Sequence, residues 1–193
     1  ITIKQAVSGL GIYGTSAVTY VDLGNVAHGT ANVDGNTFNT TGSTIRSTGN
    51  LNCVLQGAVT ISTLVNVSNN TVNIDRVATS GAVGFFTQTI TGPNDPLDTY
   101  NSNNIIFTSL AGTTSVTVIQ KLGGSPSASR TMNNNTISVS GTNTGTVIAF
   151  SYANSSLTTA NSNSITISCA APTIRGFIAT TNNSASSLNL NTI

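Results

Sequence analysis

The chain alternates apolar and polar residues over short runs, and the runs recur at near-constant intervals. One hexapeptide pattern marks the interval: an apolar or small residue, two mostly polar residues, Asn, a small polar residue, then an apolar one. It reads VDGNTF at 33–38, VSNNTV at 67–72, YNSNNI at 100–105, MNNNTI at 132–137, ANSNSI at 160–165 and LNLNTI at 188–193. Successive closing apolar residues lie 34, 33, 32, 28 and 28 positions apart. A truncated copy, Thr2-Ile3, stands 35 positions before Phe38. Repeats of 20 to 50 residues mean solenoids, propellers or arrays.

Within each unit the pattern predicts strands. After the motif, Val72 and Ile74, Ile105 and Phe107, Ile137 and Val139, and Ile165 and Ile167 alternate with polar residues. Such alternation predicts a half-buried strand. A second apolar stretch follows a polar break: SAVTYVDL, AVGFFTQTI, SVTVIQKL, TVIAFSYA, RGFIATT. A shorter third strand is expected around the Asn motif. Unit 34–66 fits worst, because NLNCVLQ and AVTISTLV compete for the second strand. No helical period of useful length occurs. A propeller blade needs about four strands and 40 or more residues, and four are not found here. Three strands in about 30 residues instead make one coil of a parallel β-helix.

The expectation is therefore an all-β parallel β-helix solenoid of about six coils, 28–35 residues each, occupying 1–193 as a single array. Stacked at about 4.8 Å, six coils span about 29 Å. Equivalent residues then lie over one another, so Asn36, Asn70, Asn103, Asn135, Asn163 and Asn191 are expected to form a structural ladder of amide hydrogen bonds. Asn also accepts a sharp bend. Asn133 and Asn134, beside the ladder position, are expected to face solvent.

Composition sharpens this picture. Asn, Ser and Thr make up roughly two-fifths of the chain, far above ordinary usage. Only 6% of residues are charged, yet 38% are apolar, so the chain has the means to form a core. Few Lys and no Glu, with many Thr, Val, Ile and Gly, favour strands. Lys4, Arg46, Arg76, Lys121, Arg130 and Arg175 are scattered singly, which argues against nucleic acid. No apolar run is long enough for membrane insertion. Cys53 and Cys169 sit among apolar residues and read as small hydrophobes rather than a bridge.

The architecture resembles the right-handed parallel β-helix family of pectin-degrading enzymes, phage tailspikes and large secreted bacterial surface proteins. The NNTI cadence with its Thr/Ser/Asn/Gly bias is most similar to segments of large secreted bacterial surface adhesins. That resemblance implies a right-handed coil and an extracellular or cell-surface location. It also says what to look for as chemistry: lyases of this fold use an Asp-rich calcium site with a Lys or Arg base, and hydrolases use clustered Asp.

Candidate chemistry is sparse. The five acids are Asp22, Asp34, Asp75, Asp95 and Asp98. They fall in different phases of the repeat, so no pair at glycosidase spacing is expected, and no catalytic residue is assigned. Asp95 and Asp98, in GPNDPLDTYNSNN, are a weak calcium candidate beside Asn94 and Asn101. A Pro-braced surface loop is the alternative, and no metal is assigned. His28, in NVAHGTAN, is faintly similar to the GHG of pectin hydrolases, without its accompanying motifs. Adjacent Phe85 and Phe86 should point to opposite faces, leaving one exposed or under a loop. Asn39, Asn66, Asn69, Asn134, Asn154 and Asn182 begin N-x-S/T sequons, as composition alone would produce.

Three functions remain from the sequence. One is a non-enzymatic structural or adhesive module of a surface repeat protein. Its partners would be neighbouring β-helix coils of the same or another chain, and surface glycans, with no cofactor. The ends carry no polar cap, which suggests a segment of a longer array. Another is a polysaccharide-binding or polysaccharide-degrading β-helix of pectin-lyase type. A phage tail-fibre segment is a third reading.

Overall fold

The computed structural model describes residues 2–4, 12–14, 18–23, 28–40, 45–56, 62–77, 79–88, 97–121, 129–153, 157–180, 186–187 and 192. These form an all-β parallel β-solenoid with three six-stranded sheets. The first sheet follows the Asn motif: Thr2–Lys4, Thr37–Asn39, Thr71–Asp75, Asn104–Leu110, Thr136–Gly141 and Ser164–Ser168. The second contains Val18–Asp22, Leu51–Gln56, Ala82–Gln88, Ser115–Lys121, Val147–Ala153 and Ile174–Thr180. The third, leading into the motif, contains His28–Asp34, Ser62–Ser68, Leu97–Thr99, Ser129–Thr131, Leu157–Thr159 and Ser186–Ser187. Ile12–Gly14 and Ile45–Ser47 add a two-stranded sheet. Every pairing is parallel and joins a strand to its equivalent one repeat away, as in Phe107 with Ile74 and Val139.

The awkward unit resolves by position. Leu51–Gln56 belongs to the second sheet and Ser62–Ser68 to the third, so NLNCVLQ and AVTISTLV do not compete. Their apolar runs look alike because both strands bury one face in the same interior.

That interior is built of columns. The first sheet contributes Phe38, Val72, Ile105, Ile137 and Ile165, with Ile74, Phe107 and Val139 beside them. The second sheet contributes two adjacent buried columns, Cys53, Phe85, Val118, Ala149 and Val54, Phe86, Ile119, Phe150. Phe85 and Phe86 are therefore both buried, each at 0% exposure, against the expectation from strict alternation. The reason is that a coil must bend inside a single second-sheet strand. Phe85 meets Phe38 of the first sheet edge-on at 6.2 Å between centroids, and Phe86 meets Tyr100, just past a third-sheet strand, at 4.9 Å. Both cysteines are free, Cys53 buried and Cys169 half-buried. Burial pushes the Cys53 thiol pKa well up.

The bend between third and first sheets is made the same way in the five units whose turn is described. The residue just before the ladder Asn is left-handed: Gly35 (φ 66), Asn69 (57), Ser102 (56), Asn134 (57) and Ser162 (56). Its N–H donates to a carbonyl of the next unit, as Asn69 N does to Asn101 O (2.9 Å) and Ser102 N to Asn133 O (2.9 Å). Left-handed backbone costs an L-residue about 1–2 kcal/mol, less for Asn and nothing for Gly.

Ser102 is exposed, so this cost can be measured cleanly. Ser102→Gly should raise stability by about 0.5 kcal/mol, the relief of strain less the entropy of a new glycine. Ser102→Val should lower it by about 1–2 kcal/mol. Urea unfolding of the two variants beside the parent checks the signs.

Candidate functional site

The expected ladder is present in the described residues. Asn36 Nδ2 donates to Asn70 Oδ1 (3.2 Å), Asn70 Nδ2 to Asn103 Oδ1 (3.0 Å), Asn103 Nδ2 to Asn135 Oδ1 (3.0 Å) and Asn135 Nδ2 to Asn163 Oδ1 (2.9 Å). The backbone N–H of each donor residue also donates to that same oxygen, as Asn70 N does to Asn103 Oδ1 (3.0 Å). The second amide hydrogen turns back to a carbonyl of the preceding unit: Asn70 to Val33 O (2.8 Å), Asn103 to Val67 O (2.9 Å), Asn135 to Tyr100 O (2.8 Å) and Asn163 to Met132 O (2.8 Å). An Asn side chain offers two N–H donors and one oxygen with two lone pairs. Asn70, Asn103 and Asn135 use all four. Each exposes 1% of its surface, so these are the buried, fully partnered amides that cost least to enclose. Asn191 lies outside the described residues, although Thr192 N reaches Asn163 O (2.9 Å).

A second column runs beside the first and was not legible beforehand. Asn133 N donates to Asn101 Oδ1 (2.7 Å) and Asn161 N to Asn133 Oδ1 (2.9 Å), while Asn101 N donates to Ser68 Oγ (3.1 Å). Here the later unit donates to the earlier one, the reverse of the main ladder. Asn133 is thus half-buried and bonded rather than solvent-facing. Asn134, in the left-handed turn, is exposed as expected. Three ladder residues follow this column at the spacing Asn-x-Asn: 101 and 103, 133 and 135, 161 and 163.

The acids lie apart. Asp34 is exposed at the end of a third-sheet strand and accepts from Asn69 Nδ2 (2.8 Å). Asp75 is half-buried at the end of a first-sheet strand, 3.5 Å from Thr108 Oγ1. Asp22 ends a second-sheet strand and His28 begins a third-sheet one. Asp95 and Asn94 lie outside the described residues. No group of three or more His, Cys, Asp or Glu positioned for a metal occurs among the described residues.

Asp98 is not in a surface loop. It sits inside the solenoid at 0% exposure, in one column with Ala31, Val65, Arg130 and Thr158. Its Oδ2 accepts from Arg130 Nη2 (3.0 Å) and Nε (3.2 Å), and its Oδ1 lies 3.6 Å from Lys121 Nζ. Lys121 Nζ also donates to Gln56 Oε1 (3.2 Å), and all three charged side chains are wholly buried. Two cations therefore hold the carboxylate that the calcium candidate would have used. A repeat-spaced Asp and Arg, 32 residues apart like Asn103 and Asn135, was the available signal. Arg76 is a further buried cation. Its Nη2 donates to Gly49 O (2.8 Å) and Ser80 O (2.7 Å), and burial lowers its pKa from the usual guanidinium value.

Comparison with protein-family models, curated proteins and solved structures finds no match to this chain.

Two substitutions separate the ladder from its surroundings. Asn103→Ala strands two donors of Asn70 and the Val67 carbonyl, and should cost about 2–4 kcal/mol. Asn104→Thr, one residue on and exposed, should change stability by less than about 0.5 kcal/mol. In the ionic cluster, Asp98→Val should cost about 3–5 kcal/mol by stranding buried cations. Adding Arg130→Leu and Lys121→Leu should restore most of it. Urea midpoints of all four variants check the set.

Proposed function

We propose that this chain is a non-enzymatic structural and adhesive module of an extracellular or cell-surface repeat protein, acting as a stiff stalk or filament. The observation that carries this reading is the unbroken amide column through Asn36, Asn70, Asn103, Asn135 and Asn163. Backbone pairing from unit to unit is continuous along the same axis. Bending or stretching along that axis breaks several bonds in one plane together, so the body resists deformation and proteolysis. The partners in this reading are neighbouring coils of the same or another chain, and surface glycans. Its similarity to large secreted adhesins rests on the repeat cadence.

The alternative is a polysaccharide-binding or polysaccharide-degrading β-helix. One observation favours its binding half: an uncharged polar notch on the outer face of the second sheet, described below.

Beads coated with the purified chain should attach to glycan-coated glass well above albumin-coated beads, and withstand shear. The same protein, incubated with neutral and acidic polysaccharides, should release no reducing ends or unsaturated products. Attachment no better than albumin sinks the adhesive reading. Product release above the blank replaces it with the enzymatic one.

A further inference from the structure

The notch has a volume of about 260 Å³ and spans three adjacent strands of the second sheet. Gly84 lies between two of its lining residues, Asn52 and Thr117. Gly84 pairs in register with Asn52, and a Cβ on it would sit 3.0 Å from Thr117 O and collide with Thr87 Oγ1. Around the notch stand Asn52, Thr87, Ser115, Thr117 and Gln120, with exposed Ala82 as the one outward apolar side chain, since Val83 turns into the core.

Among the described residues these five side chains make no hydrogen bond or ion pair, whereas Asn50 at the edge accepts from Ala82 N (3.0 Å) and Gln88 is partnered too. Elsewhere on the outer surface, several polar side chains partner one another between units. Asn66 donates to Asn32 (2.7 Å), Asn69 to Asp34 (2.8 Å), and Asn101 to Thr131 (3.2 Å). Over Gly84 two amides and three hydroxyls converge on a concave space with their capacity unspent.

We propose that this notch binds a neutral saccharide, one or two pyranose units of a glycan. As a point of attachment it rests on the adhesive reading above. The lining carries both donors and acceptors and no charge. An anion would call for Lys or Arg, and a metal ion for carboxylates. A flat apolar ligand would call for a mainly apolar wall with few polar groups. A sugar ring presents hydroxyls that donate and accept, separated by C–H faces, which matches amides and hydroxyls set around Ala82. Three strands at about 4.8 Å spacing give a length of about 10 Å, the span of one or two rings.

The test is titration of the isotopically labelled full chain with glucose, galactose, mannose, N-acetylglucosamine and their disaccharides, followed by amide chemical shifts. Galacturonate serves as the charged comparison. At least one neutral sugar should shift the amides of Asn52, Gly84 and Thr117, with a dissociation constant on the order of 1 mM or tighter. Asn52→Ala with Gln120→Ala should weaken that binding about tenfold, the worth of two hydrogen bonds. Thr71→Ala, exposed on the first sheet, should leave it unchanged. Silence at the notch amides, shifts confined to another face, or equal binding of galacturonate overturns the proposal. Beads that attach while the notch stays silent remove this site alone; a notch that binds sugar on beads that do not attach removes the adhesive role alone.

Discussion

One hydrogen-bond balance governs this fold. A buried Asn amide is tolerable only when two donors and an acceptor are met, and stacking supplies all partners from equivalent residues one unit away. The separations along the chain are 34, 33, 32 and 28 residues, yet the amide contacts stay within 2.9–3.2 Å. The stretches between strands differ in length while the column holds its place. A slip of one residue would strand the amides and turn each alternating side chain to the opposite face. The ladder thus fixes register for the whole first sheet.

The neighbouring turn follows from the same constraint. To bring the Asn inward immediately after a third-sheet strand, the chain must reverse sharply, and the left-handed residue before it does so. Gly35 and Asn69 suit that backbone better than Ser102 and Ser162. The exposed Ser side chains leave the strain to be offset by stacked hydrogen bonds on both sides. Asn101, Asn133 and Asn161 fasten the approach to the turn with bonds of the opposite direction. A bend clamped from both sides has little freedom to open locally.

Much of this was legible because a solenoid converts sequence period into spatial contact. The hexapeptide alone located the ladder and the start of the first sheet, and the apolar stretches located the second. Side chains whose role depends on one particular layer were not legible. Alternation put one of Phe85 and Phe86 outside or under a loop because it assumes a straight strand, whereas a coil bends within the strand. The prolines and glycine of GPNDPLDT signalled a loop, yet Leu97–Thr99 pairs on both sides and buries Asp98. Asn133 was assigned to solvent as a turn residue of its Asn run, and bonds running in the opposite direction to the ladder are not something the run reveals. The notch was hidden for a simpler reason: Gly84 matters only through the side chains that stacking sets above and below it.

Stacking also accounts for the rarity of charge. In an in-register parallel array, a charge placed at a repeating position faces its own copy at about 4.8 Å. Like charges directly opposite one another destabilise a sheet, and each added unit would deepen the repulsion. Asn, Thr and Ser escape this, since each donates and accepts and bonds to its own kind. Thr37, Thr71, Asn104, Thr136 and Ser164 accordingly share one outward column, and Asn66 bonds Asn32 at another. The buried exception obeys the same logic. Where charge does enter a column, Asp98 stands against Arg130 rather than against a second Asp, so the stack turns repulsion into a pair. A composition with 6% charged residues is the imprint of a repeat whose layers must tolerate one another.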